Sequence, residues 1–111
     1  KVMATRASVI FKEKGEPVFA MYKHYDGYPE GLGEDLKSII SNGRIVNGLG
    51  QNRTLSSTFN GYGCMFATII AKLKDEPGNV YICKISDVGQ QGEDFIYEVN
   101  EKGEVSYEMV R

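Results

Sequence analysis

The run from Tyr22 to Pro29 holds the densest group of chemically capable side chains. It contains the only histidine of the chain, His24, a carboxylate two residues later at Asp26, and phenols at Tyr22 and Tyr28. Imidazole titrates near neutral pH, so His24 with Asp26 is a candidate acid–base pair for hydrolysis of a nucleotide or phosphodiester. The alternative is structural: the tyrosines pack on a sheet and Asp26 opens a turn, because turns favour Asp-Gly.

Cysteine chemistry is the second candidate. Cys64 is predicted at a helix start, where the dipole lowers a thiol pKa, and His24 with Asp26 or Asp87 could complete a triad. Against a catalytic role, cysteine is among the most buried residue types. The two cysteines, Cys64 and Cys83, lack Cys-x-x-Cys spacing, so no metal or other cofactor is expected. We expect both thiols to be reduced, unbridged and buried.

A segment rich in glycine and asparagine between residues 43 and 63 is the third candidate. Asn60, Gly61 and Gly63 lead into a predicted helix, whose free N–H groups favour an anion. Asn47 and Arg53 add a flexible backbone and positive charge nearby. Neither a Walker A sequence nor a dinucleotide fingerprint is present. The alternative is that these glycines serve only the path of the chain.

The elements that must position these residues follow from periodicity. Alternation over Ala7–Phe11 and Val18–Tyr25 predicts an antiparallel hairpin. Apolar residues at helical spacing predict a first helix that contains Leu32 and Leu36 and ends at Asn42-Gly43. A second helix is predicted from about Gly63 to Asp75, on a broad apolar face.

Three strands are predicted to close the chain. Val80–Ile85 is almost wholly apolar, which is typical of a central strand covered on both faces. Phe95–Val99 and Val105–Val110 flank a turn and predict a second hairpin. The order ββααβββ predicts one α+β domain over residues 1–111, with an antiparallel sheet of about five strands and two helices on one face. The predicted core is Leu36, Ile40, Phe66, Ile69, Ile70, Leu73, Val80 and Ile82.

Amino-acid composition and net charge limit the classes of partner that we expect the protein to bind. The 111 residues are 41% hydrophobic and 25% charged with a net charge of -2, which indicates an ordinary globular domain. Without a basic excess, binding to double-stranded nucleic acid is not expected. No apolar run is long enough to span a bilayer, so we expect no membrane association. Because both cysteines are expected to be reduced, we expect a cytoplasmic location. Met3 is expected to be the natural first residue, with Lys1 and Val2 as cloning remnants.

Several short motifs together resemble one family. They are Thr5-Arg6, Asp26-Gly-Tyr-Pro29, Asn47-Gly48-x-Gly50, Asn60-Gly-Tyr-Gly-Cys64 and Asp87-x-Gly89. In order and spacing they are similar to a small uncharacterised family of single-domain bacteriophage and bacterial proteins. That resemblance implies a phage or prokaryotic setting, with the host cytoplasm as location if the protein is phage-encoded. Small phage proteins of this size often inhibit a host factor or sequester a signalling molecule.

These observations lead to a binding module without enzymatic activity, which sequesters a phosphorylated, nucleotide-type small molecule or inhibits a host protein. A small hydrolase using His24 and Asp26 is the alternative, and a structural or assembly protein is the second. Homo-oligomerisation stays open. A ligand is expected where the Asp26–Pro29 turn, the Asn47–Arg53 loop and the start of the second helix converge. The candidate binding residues are Arg6, Tyr22, His24, Asp26, Tyr28, Asn47, Arg53, Asn60, Gly61 and Gly63.

Overall fold

In the part of the chain that the structure describes, seven strands and two helices make up a fold of the α+β class. The computed structural model describes residues 4–46, 48 and 58–111. The strands are β1 (Ala7–Glu13), β2 (Glu16–Lys23), β3 (Arg44–Val46), β4 (Thr58–Asn60), β5 (Val80–Cys83), β6 (Phe95–Val99) and β7 (Val105–Met109). The helices are α1 (Glu34–Ser41), which follows a π-helical turn at Pro29–Gly33, and α2 (Gly61–Leu73). Neither helix has the length and apolar character needed to cross a bilayer in the part of the chain described.

Five strands form the main sheet in the order β5-β2-β1-β6-β7. The predicted hairpins β1–β2 and β6–β7 are confirmed. The predicted antiparallel sheet of about five strands is confirmed, except that one of its pairs, β1 with β6, runs parallel. A short parallel pair, β3–β4, lies outside the main sheet and interrupts the predicted ββααβββ order between the two helices.

A crossover segment, residues 84–94, explains the parallel pair. β5 and β6 point the same way, since β5 is antiparallel to β2 and β6 is parallel to β1. Parallel strands cannot be joined by a tight hairpin, so the chain must cross the sheet between them. The segment contains a 3-10 turn at Ile85–Asp87 and passes over the face that carries Ser8 and Tyr22.

Both helices pack on the other face of the sheet, as predicted. Alternation along β1 directs Ala7, Val9 and Phe11 to this side, and all three are fully buried. The helices and the segments next to them contribute Leu32, Leu36, Phe59, Met65, Phe66, Ile69 and Leu73 to the same cluster. Of the predicted core, Leu36, Phe66, Ile69, Leu73 and Val80 are buried, while Ile40 and Ile70 pack against the cluster and are partly buried.

The prediction for the strand at Val80–Ile85 is wrong in position. β5 ends at Cys83 and is an edge strand, not a central one. Ile82 faces the helical side of the sheet, yet 64% of it is exposed, and Tyr81 on the opposite face is 52% exposed. The apolar run therefore marks an exposed edge of the sheet instead of its centre.

The Asp26-Gly27 step turns the chain from β2 toward α1. Asp26 has a positive φ of 59°, and the Gly27 amide donates to the Thr5 carbonyl at 2.9 Å. A Cβ on Gly27 would stand 2.7 Å from the Cβ of Ala7, so only glycine fits this close approach. The buried Tyr97 hydroxyl donates to the Gly27 carbonyl at 2.7 Å, and burial raises the pKa of Tyr97 to about 12.

Candidate functional site

An open cleft of about 710 Å³ lies between the crossover segment and the face of the sheet that the helices leave free. Strand β2 and the residue after it form its floor, and β5 forms one wall. The crossover segment forms the other wall. The lining residues are Tyr22, His24, Tyr81, Ile82, Cys83, Lys84, Asp87 and Gln91. Below, this cavity is called the crossover cleft.

Tyr22 and His24 form a hydrogen-bonded pair on the floor. The alternation of β2 places both on one face, and the Tyr22 hydroxyl lies 2.8 Å from His24 Nδ1. Burial raises the pKa of Tyr22, although the nearby positive charge of Arg6 opposes the shift. With Nδ1 engaged by the phenol, Nε2 is the His24 ring nitrogen left for a ligand.

The β5 wall adds an aromatic surface and a cation. The Tyr81 ring lies 6.2 Å from the Tyr22 ring, at an interplanar angle of 39°. Lys84 is exposed, and its side chain makes no ion pair within the described ranges. The Asp87 carboxylate turns back on the loop and accepts the Lys84 amide at 3.3 Å. A planar ring could therefore rest on the tyrosines with an anionic group near Lys84.

The side chains of Cys83 on β5 and Gln91 on the crossover segment lie next to each other in the cleft. Burial raises the pKa of the half-buried Cys83 thiol, and the Gln91 carboxamide beside it opposes that shift. Gln91 Nε2 is shielded from solvent and lies beside the Cys83 sulfur, but it is not in hydrogen-bonding geometry with that sulfur or with any other described residue. A buried donor without a partner costs free energy, so a ligand acceptor that reached it would be favoured.

Glu93 anchors the crossover segment to the sheet. Its carboxylate accepts hydrogen bonds from Ser8 Oγ (2.6 Å) and from the amides of Gly89 (2.7 Å) and Gln91 (2.8 Å). Burial alone would raise the pKa of Glu93, but these donors outweigh burial and hold the pKa below its usual range. The sequence analysis missed Glu93. The signal available was the length of the segment between β5 and β6, which is too long for a hairpin turn.

Three of the predicted binding residues come together at or near the cleft. Tyr22 and His24 line it. Arg6 precedes β1, and its charge is close enough to oppose the rise that burial causes in the pKa of Tyr22. The Arg6 amide donates to Asp94 Oδ2 at 3.0 Å, which fixes the start of β1 to the end of the crossover segment.

Asp26 and Tyr28 lie outside this group. The Asp26 carboxylate accepts the Tyr28 hydroxyl at 3.2 Å, and Asp26 raises the pKa of that exposed phenol. The carboxylate is therefore engaged with Tyr28, whereas the imidazole of His24 is engaged with Tyr22. The structure does not assemble the His24–Asp26 pair as a hydrogen-bonded unit.

The start of α2 is a separate region. Asn60 Oδ1 accepts the Gly48 amide at 2.8 Å, Gly61 begins the helix with a φ of 82°, and Gly63 lies in its first turn. Cys64 follows and is exposed, so the expectation that it is buried is wrong; Cys83 is half-buried, and both thiols are free. Because α2 packs on the helical face, Cys64 and His24 lie on opposite sides of the sheet and form no triad.

The predicted convergence of three segments is only partly described. Asn47 and Arg53 lie outside the described residues. The turn at Asp26 bonds to Thr5 and Leu32, whereas the start of α2 bonds to Gly48 and borders β3 and β4. The cleft that the structure presents lies on the helix-free face instead.

Across residues 4–46, 48 and 58–111, no three histidine, cysteine or acidic side chains are grouped to hold a metal ion. No model of a protein family, no curated protein and no solved structure matches the chain.

Proposed function

We propose that the protein is a binding module that holds a phosphorylated, nucleotide-type small molecule in the crossover cleft without turning it over. One observation carries the proposal: the cleft combines exposed aromatic surface at Tyr81 with the exposed cation of Lys84 and the Nε2 atom of His24. A base stacks on an aromatic side chain, and a phosphate pairs with an ammonium group, so both parts of such a ligand have a partner.

The grouping of polar atoms favours binding over hydrolysis. His24 Nδ1 is bonded to a phenol, and the carboxylates of Asp26 and Asp87 accept from Tyr28 and from a backbone amide. A general base is expected to be oriented by a third group that stabilises its charged form, as a carboxylate does. The hydrolase using His24 and Asp26 remains the competing hypothesis.

Titration calorimetry against a panel of cyclic and linear nucleotides tests the proposal. We expect Lys84→Ala to weaken binding of a phosphorylated ligand by about tenfold, because a charged hydrogen bond contributes about 1.5–3 kcal/mol. Tyr81→Ala should weaken it by a similar factor through lost stacking, which is about 1–3 kcal/mol per base. Lys37→Ala, an exposed lysine on α1 across the sheet, is the matched control and should bind as the wild type does.

Mass spectrometry of the same mixtures separates the alternatives. Unchanged nucleotide recovered from the protein supports the binding module, whereas a cleaved product that disappears in His24→Ala supports the hydrolase. Absence of heat with every nucleotide would contradict the proposal. It would favour inhibition of a protein partner, for which the β5 edge offers two exposed apolar side chains, Tyr81 on one face of the sheet and Ile82 on the other.

A further inference from the structure

Strand β7 forms an open edge of the main sheet. The Val110 amide donates to the Asp94 carbonyl of the neighbouring chain segment at 2.8 Å, so the backbone N–H and C=O groups of Val110 point toward β6. Backbone N–H and C=O groups alternate in direction along an antiparallel strand. Those of Ser106 and Glu108 therefore also point toward β6. The groups that point outward belong to Val105, Tyr107 and Met109, and no described residue bonds to them.

The opposite edge of the sheet is protected at one residue, Val80. At β5, the Val80 carbonyl accepts from Lys74 Nζ at 3.1 Å, and the Val80 amide donates to the Gly78 carbonyl at 2.7 Å. A lysine at an edge also repels a second positively charged edge, which is a common protection against strand pairing. β7 has neither a lysine nor a proline between Val105 and Met109.

We propose that β7 pairs antiparallel with β7 of a second copy of this chain, about a two-fold axis at Tyr107, to join two sheets into one. In this register Tyr107 faces its counterpart, and Val105 faces Met109 of the second copy. These are the three positions whose backbone groups point outward, so every pair can exchange both hydrogen bonds.

The side chains fit the same register. Tyr107 and Met109 are 51% and 69% exposed on the helical face, and pairing covers this apolar surface with its counterpart. On the other face, Glu108 comes opposite Ser106, so that no like charges face each other directly. A two-fold contact of this kind is closed, because it uses the β7 edge of both copies.

Sedimentation equilibrium over a range of protein concentrations tests the proposal. The wild type should be a dimer in equilibrium with monomer. Ser106→Glu creates two contacts between like charges across the dimer interface, because each introduced carboxylate faces Glu108 of the other copy, and should raise the dissociation constant by about tenfold. The introduced carboxylate also faces Glu98 of its own chain, but that contact is the same in monomer and dimer. Adding Glu108→Lys to that variant turns both contacts attractive and should restore the wild-type value to within about threefold.

The comparison uses only exposed positions of β7, and circular dichroism at the lowest concentration verifies that each variant is folded. A wild type that is monomeric at every concentration overturns the proposal. So does a dimer that Ser106→Glu leaves unchanged, or one that Glu108→Lys does not restore, because another surface must then hold it together.

Discussion

Glu93 shows how one buried carboxylate can set the shape of a binding cleft. It is 2% exposed and holds three donors, one on β1 and two on the crossover segment. Without it, nothing among these contacts would tie Gly89 and Gln91 to Ser8. The wall of the cleft therefore depends on a residue that does not line the cleft.

Stability should fall in acid because of Glu93. Its folded-state pKa is lowered, so its contribution is present above the ordinary glutamate pKa and is lost as pH falls through the lower, folded-state value. We expect Glu93→Gln to unfold more easily by about 1–3 kcal/mol at neutral pH and to lose less stability in that acidic range.

Chemical denaturation at a series of pH values checks this prediction. Glu16→Gln, at an exposed position of β2, is the matched control and should follow the wild-type curve. Equal acid sensitivity in Glu93→Gln and the wild type would show that other carboxylates cause the loss.

The pairing of Tyr22 with His24 was predictable at the residue scale, because residues two apart in a strand share a face. The partner of Asp26 was also local, since the Asp-Gly turn keeps its carboxylate near Tyr28. Glu93 was not predictable in this way. Its partner Ser8 lies 85 residues away in sequence, and no local pattern reports such a contact.

At the scale of elements, the helices followed their apolar spacing closely. α1 begins at Glu34, so Leu32, which the sequence predicts to lie in this helix, lies in the π-helical turn before it, and α1 ends at Ser41, just before the predicted Asn-Gly stop. α2 begins two residues before the predicted Gly63, because Gly61 takes the positive φ that opens it. Helix ends depend mainly on neighbouring residues, which is why the sequence predicts them to within two residues here.

Ile69 and Ile82, which the sequence places in one core, should differ in how much stability the protein loses when each is truncated to alanine. Ile69→Ala on α2 should cost about 2–5 kcal/mol, because the side chain is fully buried against the sheet. Ile82→Ala on β5 should cost less than about 1 kcal/mol, because Ile82 is 64% exposed. The same substitution at both positions makes each the control of the other. Equal losses in thermal or chemical unfolding would contradict the placement of β5 at the edge.

At the scale of the whole molecule, β1 is the centre of the sheet. It is paired with β2 along one side and with β6 along the other, and Ala7, Val9 and Phe11 are fully buried. Opening these bonds requires the sheet to separate in two. The edge strands can open without disturbing the rest of the fold.

Native-state hydrogen exchange should be slowest in the central strand and faster in the edge strands. We expect the amides of β1 to exchange most slowly, with a protection free energy close to that of global unfolding. The Ile82 amide on β5 should exchange much faster, since it points away from β2. Slower exchange in β5 than in β1 would support a central position for β5 and contradict the strand order.

The sequence by itself determined the α+β class, the two hairpins, both helices and the shared face of Tyr22 and His24. All of these depend on residues close together in the chain, where periodicity, turn residues and helix ends act directly. Only the tertiary structure decided the parallel pairing of β1 with β6, the edge position of β5 and the crossover cleft. These features depend on which distant strands become neighbours. The apolar pattern of β5 is compatible with either a central or an edge strand, because the sequence pattern of a strand shows which side chains share a face and does not show which strands pair with it.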